Sequence, residues 1–117
     1  IEPTVLTDIT PDSPIMQEEI FGPILPMIPY TDIRECTDYI VKHPKPLALY
    51  LFTKDASVEK YVLDRCSFGG GCINDTIIHI ATPHMGFGGV GSSGMGSYHG
   101  KKSFDANPLQ ALFKNER

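Results

Sequence analysis

Hydrophobic positions in this chain come in short runs, each closed by proline, glycine or small polar side chains. Residues 1–6 (IEPTVL) are β-rich and stop at Thr7-Asp8, which predicts a strand. Thr10-Pro11-Asp12-Ser13-Pro14 is loop material. The apolar stretch 24–30 (ILPMIPY) carries two prolines, so it suits an edge or bulged strand rather than a fully paired central one. From Asp32 the period changes. Ile33, Cys36 and Ile40 recur at helical spacing with Thr37 and Val41 flanking, and Asp32 with Glu35 resembles a capping box. His43-Pro44 should end that helix.

Residues 47–53 (LALYLFT) form a continuous apolar run, as expected of a strand covered on both faces. Asp55 should cap a second helix whose buried stripe is Val58, Tyr61, Val62 and Cys66, with Gly69 as a left-handed stop. Cys72-Ile73-Asn74-Asp75 then reads as a short strand. Strand, helix, strand, helix, strand is the order of an α/β fold, a mostly parallel sheet with flanking helices. Ligands of such sheets gather beyond the carboxyl ends of the strands, where Asn74 lies.

Composition narrows the classes. With 117 residues there is room for one small domain and a core. The net charge of −4 lacks the basic stripe that nucleic acid would demand. No run of about 18 apolar residues is present, so no membrane segment is expected. Cys36, Cys66 and Cys72 include no C-x-x-C pair, which excludes the common zinc frameworks. They read as free thiols of a reducing cytoplasmic compartment. His79, His84 and His99 lack partner acids at metal spacing and read as loop or surface residues; no metal site is expected. The chain opens at Ile1 with neither an initiating Met nor a signal peptide, as a segment cut from a longer protein would.

Two stretches carry candidate chemistry. In residues 18–23 (EEIFGP), Pro23 denies the backbone a donor and biases Gly22 away from helix, so the chain turns or runs extended. A carboxylate beside an aromatic ring on such a turn can accept two ribose hydroxyl hydrogen bonds while the ring packs on a flat ligand. Two exposed acids ahead of a core Phe would account for the same residues structurally. Gly86 to Gly96 (GFGGVGSSGMG) matches G-x-G-x-x-G at Gly86, Gly88 and Gly91. No hydrophobic strand precedes it and another Gly-x-Gly follows, so a tightly folded loop anchored by Phe87 and Met95 explains it better than a dinucleotide loop. A helix starting near Ser97 and ending before Pro108 would follow.

Taken together, residues 3–6 (PTVL), 16–26 (MQEEIFGPILP), 46–53 (PLALYLFT), 70–75 (GGCIND) and 86–105 resemble, in order, the C-terminal part of an aldehyde dehydrogenase catalytic domain, most closely the class 3 and fatty-aldehyde branch. The resemblance implies an enzyme that oxidises an aldehyde to a carboxylic acid with NAD or NADP. It implies that Glu19 hydrogen-bonds the nicotinamide-side ribose and that Phe21 packs near the nicotinamide. It places Asn74 and Phe87 in the scaffold of the substrate entrance. The branch's cysteine nucleophile and general-base Glu would lie upstream of Ile1, with the N-terminal cofactor-binding part as this segment's partner, so no catalytic residue is assigned here. Cys72 follows three glycines with no His or Lys close by in sequence to activate it. Residues 1–105 are read as the C-terminal portion of the catalytic domain. Residues 106–117 are a divergent tail and possible oligomerisation segment; a homo-oligomer, as a dimer, follows only from the resemblance. Two other readings share the sequence: a non-catalytic interaction module lacking the nucleophile, and one half of a nicked enzyme.

Overall fold

The computed structural model describes residues 1–81, 84–96 and 98, and the chain divides into two units, residues 1–32 and residues from 33 onward. In the first unit, β1 (Thr4–Leu6) runs parallel to β2 (Ile24–Pro26), in the register Thr4 to Ile24 and Leu6 to Pro26. Between them the chain makes a 3₁₀ turn at Pro14–Met16. Pro23 cannot donate, but its carbonyl accepts from the Thr4 amide at 2.9 Å, and the Met27 amide donates to the Leu6 carbonyl at 2.9 Å. The expectation of an edge position is met: β2 has one partner strand, β1, among the described residues.

The second unit is a β-α-β arrangement. Helix α1 (Ile33–Lys42) leads to β3 (Ala48–Leu51), then α2 (Ala56–Arg65), then β4 (Gly70–Ile73), parallel to β3. So the parallel pairing holds, but as two two-stranded sheets, with β2 paired to β1 and not to β3. Asp55 caps α2 as expected. Its Oδ1 accepts from the Ser57 hydroxyl at 2.6 Å, the Ser57 amide at 2.8 Å and the Val58 amide at 3.4 Å. These bonds, the Ser57 side chain foremost, hold its carboxyl below the ordinary carboxylate value.

Leu49, Val62 and Cys66 form the buried centre, with Ile33, Ile40, Leu51, Val58, Tyr61 and Phe68 packed around it. Burial pushes the Cys66 thiol up, and Cys36, half-buried on α1, is raised for the same reason. Thr37 proves more central than a flanking position suggests: it is 1% exposed. Its hydroxyl donates to the Arg34 carbonyl at 3.1 Å and lies 3.4 Å from the Tyr61 hydroxyl, so a polar side chain sits in the α1–α2 seam without an orphaned oxygen. Outside that seam Arg65 Nη2 donates to Asp38 Oδ1 at 2.7 Å.

Gly69 corrects an expectation. It has no positive φ, and α2 instead ends at Cys66 in an extended conformation (φ −97°, ψ 132°). A glycine is needed there for space. A Cβ on Gly69 would stand 2.5 Å from the Leu47 carbonyl oxygen, 3.0 Å from Gly89 Cα and against the Gly88 carbonyl. Strand β4 starts at Gly70, earlier than expected, and stops at Ile73 because Asn74 turns left-handed (φ 56°). Ile77 is also left-handed (φ 64°), a conformation that costs a β-branched residue on the order of 1–3 kcal/mol. The turn leads into a short helix, α3 (Ile78–Ala81), which the hydrophobic pattern did not announce and which packs on β4.

Candidate functional site

In the first unit the functional expectation rests on Glu19 and Phe21. Glu19 and Phe21 are both exposed, with half-buried Ile20 between them. Phe21 is 91% exposed. The structural alternative, a core Phe at this turn, therefore fails within the described residues. A large aromatic displayed this fully is a surface that a ligand or another protein segment gains by covering. The Ile24 amide donates to the Gly22 carbonyl at 2.9 Å, which fixes the bend between Phe21 and β2.

In the second unit Asn74 closes the carboxyl end of the β3–β4 pair. Its Oδ1 accepts from the Thr53 amide at 2.8 Å and its Nδ2 donates to the Thr53 carbonyl at 2.8 Å. The side-chain amide thus mimics one more rung of the parallel ladder beyond Leu51, whose carbonyl accepts from the Asn74 amide at 2.8 Å. Asn is suited to this because it tolerates the left-handed region and offers both a donor and an acceptor.

Phe87 sits in the glycine-rich loop, where it makes an antiparallel bridge with Tyr98 through hydrogen bonds of 2.6 and 2.7 Å. The two rings meet edge-on, with centroids 5.6 Å apart. Tyr98 is therefore extended at this bridge. The rest of the helix expected near Ser97, and the tail 106–117, lie outside the described residues. Within the loop Gly91 (φ 59°) and Gly94 (φ 153°) take the conformations that only glycine adopts freely, and the Ser93 hydroxyl donates to the Val90 carbonyl and accepts from its amide. Met95, expected as an apolar anchor beside Phe87, is fully exposed.

His79 is a second correction. It is 6% exposed rather than at the surface, and its ring centroid lies 5.6 Å from that of Tyr50 and 5.9 Å from that of Phe87. Its Nδ1 is 3.5 Å from Cys72 Sγ. Cys72 thus has a histidine beside it that the sequence separates by seven residues and α3 brings back. Gly70 makes room for the ring, since a Cβ there would stand 2.8 Å from His79 Cδ2. Among the described residues no group of three metal-ligating side chains occurs.

Residues 1–107 match the sequence profile of the aldehyde dehydrogenase family. The chain belongs to that family. It is 53% identical over 105 residues to aldehyde dehydrogenase family 3 member A2 of Macaca fascicularis, covering 90% of this chain and 22% of that protein. Among solved structures it resembles a substrate-bound state of Staphylococcus aureus AldH (TM-score 0.88, 58% identity, 90% of this chain and 23% of that one). It also resembles an NAD+ complex of an aldehyde dehydrogenase from Bacillus cereus (TM-score 0.79, 30% identity, 90% and 21%). The chain therefore spans between a fifth and a quarter of the length of these relatives. The class 3 resemblance drawn from the ordered motifs holds, and so does the α/β fold. No helix among the described residues is long and apolar enough to cross a membrane.

Proposed function

We propose that this chain serves an NAD- or NADP-dependent oxidation of aldehydes to carboxylic acids, supplying the nicotinamide-side part of the cofactor site and part of the substrate entrance. The observation that carries this is the displayed pair Glu19 and Phe21, within a chain that shares 53% identity with a family 3 relative. The two residues fit a nicotinamide riboside chemically. A carboxylate accepts from both ribose hydroxyls, and an exposed ring offers an apolar face to a flat heterocycle. When bound, the nicotinamide supplies the hydride acceptor. Glu19 orients the ribose and Phe21 excludes water from one side of the ring. Asn74 holds the carboxyl ends of β3 and β4 together, and Phe87, braced by His79 and Tyr98, supplies an aromatic wall to the entrance. The nucleophilic cysteine and the general-base glutamate belong to other segments of the enzyme. Cytoplasmic residence and assembly as a homodimer, with the 106–117 tail at the interface, complete the proposal.

The test is single-turnover kinetics of Glu19→Gln in the enzyme. The amide keeps the size but loses one acceptor and the charge, so hydride transfer should slow by about tenfold or more. Unchanged reduced-cofactor formation removes Glu19 from the site. A second reading is favoured by the same exposed Phe21, together with Val5 and Leu25, each more than half exposed. On it the chain is a non-catalytic module that binds a partner through this apolar surface. Native mass spectrometry separates the two, because a module would be found without any chain carrying a nucleophile.

A further inference from the structure

We propose that Cys72 is a covalent modification site for α,β-unsaturated carbonyl compounds, with the imidazole of His79 as the base that takes and returns its proton. This inference stands apart from the oxidation proposed above: Cys72 has no role there, and His79 and Phe87 enter there only through their packing at the entrance. Three observations place the groups. Cys72 is half-buried, whereas Cys66 is buried at the end of α2. His79 is 6% exposed, and its Nδ1 has the Cys72 sulfur at 3.5 Å. The other ring nitrogen, Nε2, is buried without a hydrogen-bond partner. A neutral imidazole offers one donor and one acceptor nitrogen. With Nε2 unpartnered, the Cys72 thiol is, among the described residues, the group placed to exchange a proton with this ring. Among the described residues Cys36 and Cys66 have no hydrogen-bonded histidine, and burial raises both thiols.

The electrophile class follows from the proton balance and from the walls of the site. The sulfur lone pair forms a C–S bond to the β-carbon as the thiol proton passes to His79 Nδ1. The C=C π pair moves toward the carbonyl as an enolate, and the enolate takes the proton back from the imidazolium. The net change is addition of S–H across C=C, with no oxidant, reductant or leaving group. One base suffices, and the structure provides one. Tyr50, the register partner of Cys72 on β3, and Phe87 flank the His79 ring, and their flat faces suit a planar conjugated acceptor.

The experiment is competitive alkylation of the purified protein with N-ethylmaleimide, followed by quenching and peptide mass spectrometry of all three cysteines. In the native protein Cys72 should react at least about tenfold faster than Cys36, a threshold set below the roughly hundredfold that a positioned base typically gives. In urea the two rates should converge. His79→Phe keeps a flat ring in the aromatic pocket and removes both nitrogens, including the orphaned one, so it should fold. It should bring the Cys72 rate down to that of Cys36 while leaving Cys36 unchanged. His79→Gln is the second variant and should do the same. A native Cys72 rate at or below that of Cys36 overturns the proposal without recourse to any variant. A folded His79→Phe or His79→Gln protein, checked by circular dichroism, that keeps the fast Cys72 reaction also overturns it.

Discussion

Asn74 offers a quantitative test of how the carboxyl end of the β3–β4 pair is held. Its side chain makes two hydrogen bonds of 2.8 Å to the backbone of Thr53, and its backbone sits at φ 56°. Removing both bonds costs about 1–2 kcal/mol, since each is exposed and so contributes roughly 0.5–1 kcal/mol net, the lower part of the usual range. Alanine at a left-handed φ adds about 1 kcal/mol. Asn74→Ala should therefore lose about 2–3 kcal/mol in urea unfolding followed by circular dichroism. Asn74→Gly loses the same bonds but not the backbone strain, and should be milder than Ala by about 1 kcal/mol. Asn74→Asp keeps the acceptor for the Thr53 amide but sets a carboxylate oxygen against the Thr53 carbonyl, so it should fall below wild type too. The order wild type, Gly, Ala is the decisive result. Equal midpoints for wild type and Ala would show that the rung beyond Leu51 bears no weight. A Gly variant as poor as Ala would show that the left-handed turn is not strained.

Three further outcomes follow. Gly69→Ala drives a methyl group into the Leu47 and Gly88 carbonyls, so it should expose the 86–94 loop to limited proteolysis; an unchanged digestion pattern would refute the packing argument. Val62→Ala deletes two methyl groups from a side chain 3% exposed and should lower unfolding stability by about 2 kcal/mol in the same urea experiment. The folded-state depression of the Asp55 carboxyl means that its capping contribution is fully present above its unfolded value, ordinarily 3.8, and is lost as pH falls through the lower folded value. Asp55→Asn, which keeps the oxygen but does not titrate, should flatten that part of the stability-versus-pH curve.

Much of the second unit was legible in the sequence because local chemistry and burial agree there. Asp55 caps, Val58, Tyr61, Val62 and Cys66 repeat at helical spacing, and the 47–53 run is apolar on both faces. What escaped depends on residues distant in sequence or on conformations outside periodicity. Thr37 looks like a flank because it is polar, yet the Arg34 carbonyl and the Tyr61 hydroxyl satisfy it in the seam. Gly69 looks like a helix stop because it follows one, yet what forbids a side chain is the backbone of residues 47 and 88. Helix α3 is four residues long, too short to show a period, and is set by left-handed Asn74 and Ile77. For the same reason the Cys72–His79 contact has no sequence signal beyond a cysteine and a histidine seven residues apart. Glu19 and Phe21 were legible only as types at a Gly-Pro turn; their common exposure is the structural addition.

The β3–β4 pair also shows how two positions per strand repeat divide structure from chemistry. Leu49 and Leu51 face the helices, and the Gly71 position on the same face approaches Phe68. Their neighbours Tyr50, Gly70 and Cys72 face His79. The first set is apolar or absent, as close packing on α1 and α2 requires. The second mixes a phenol, a thiol and a missing side chain, which is a poor composition for a core but a workable one for a site. Successive side chains point to opposite faces, so a slip of one residue in β4 would send Cys72 into the helical core and Ile73 under the imidazole. The reciprocal Asn74–Thr53 hydrogen bonds oppose that slip, because they form in one register alone. The same side chain that closes the ladder therefore keeps Cys72 on the face that meets His79, and the stability of the Asn74 variants and the selectivity of Cys72 alkylation should fall together.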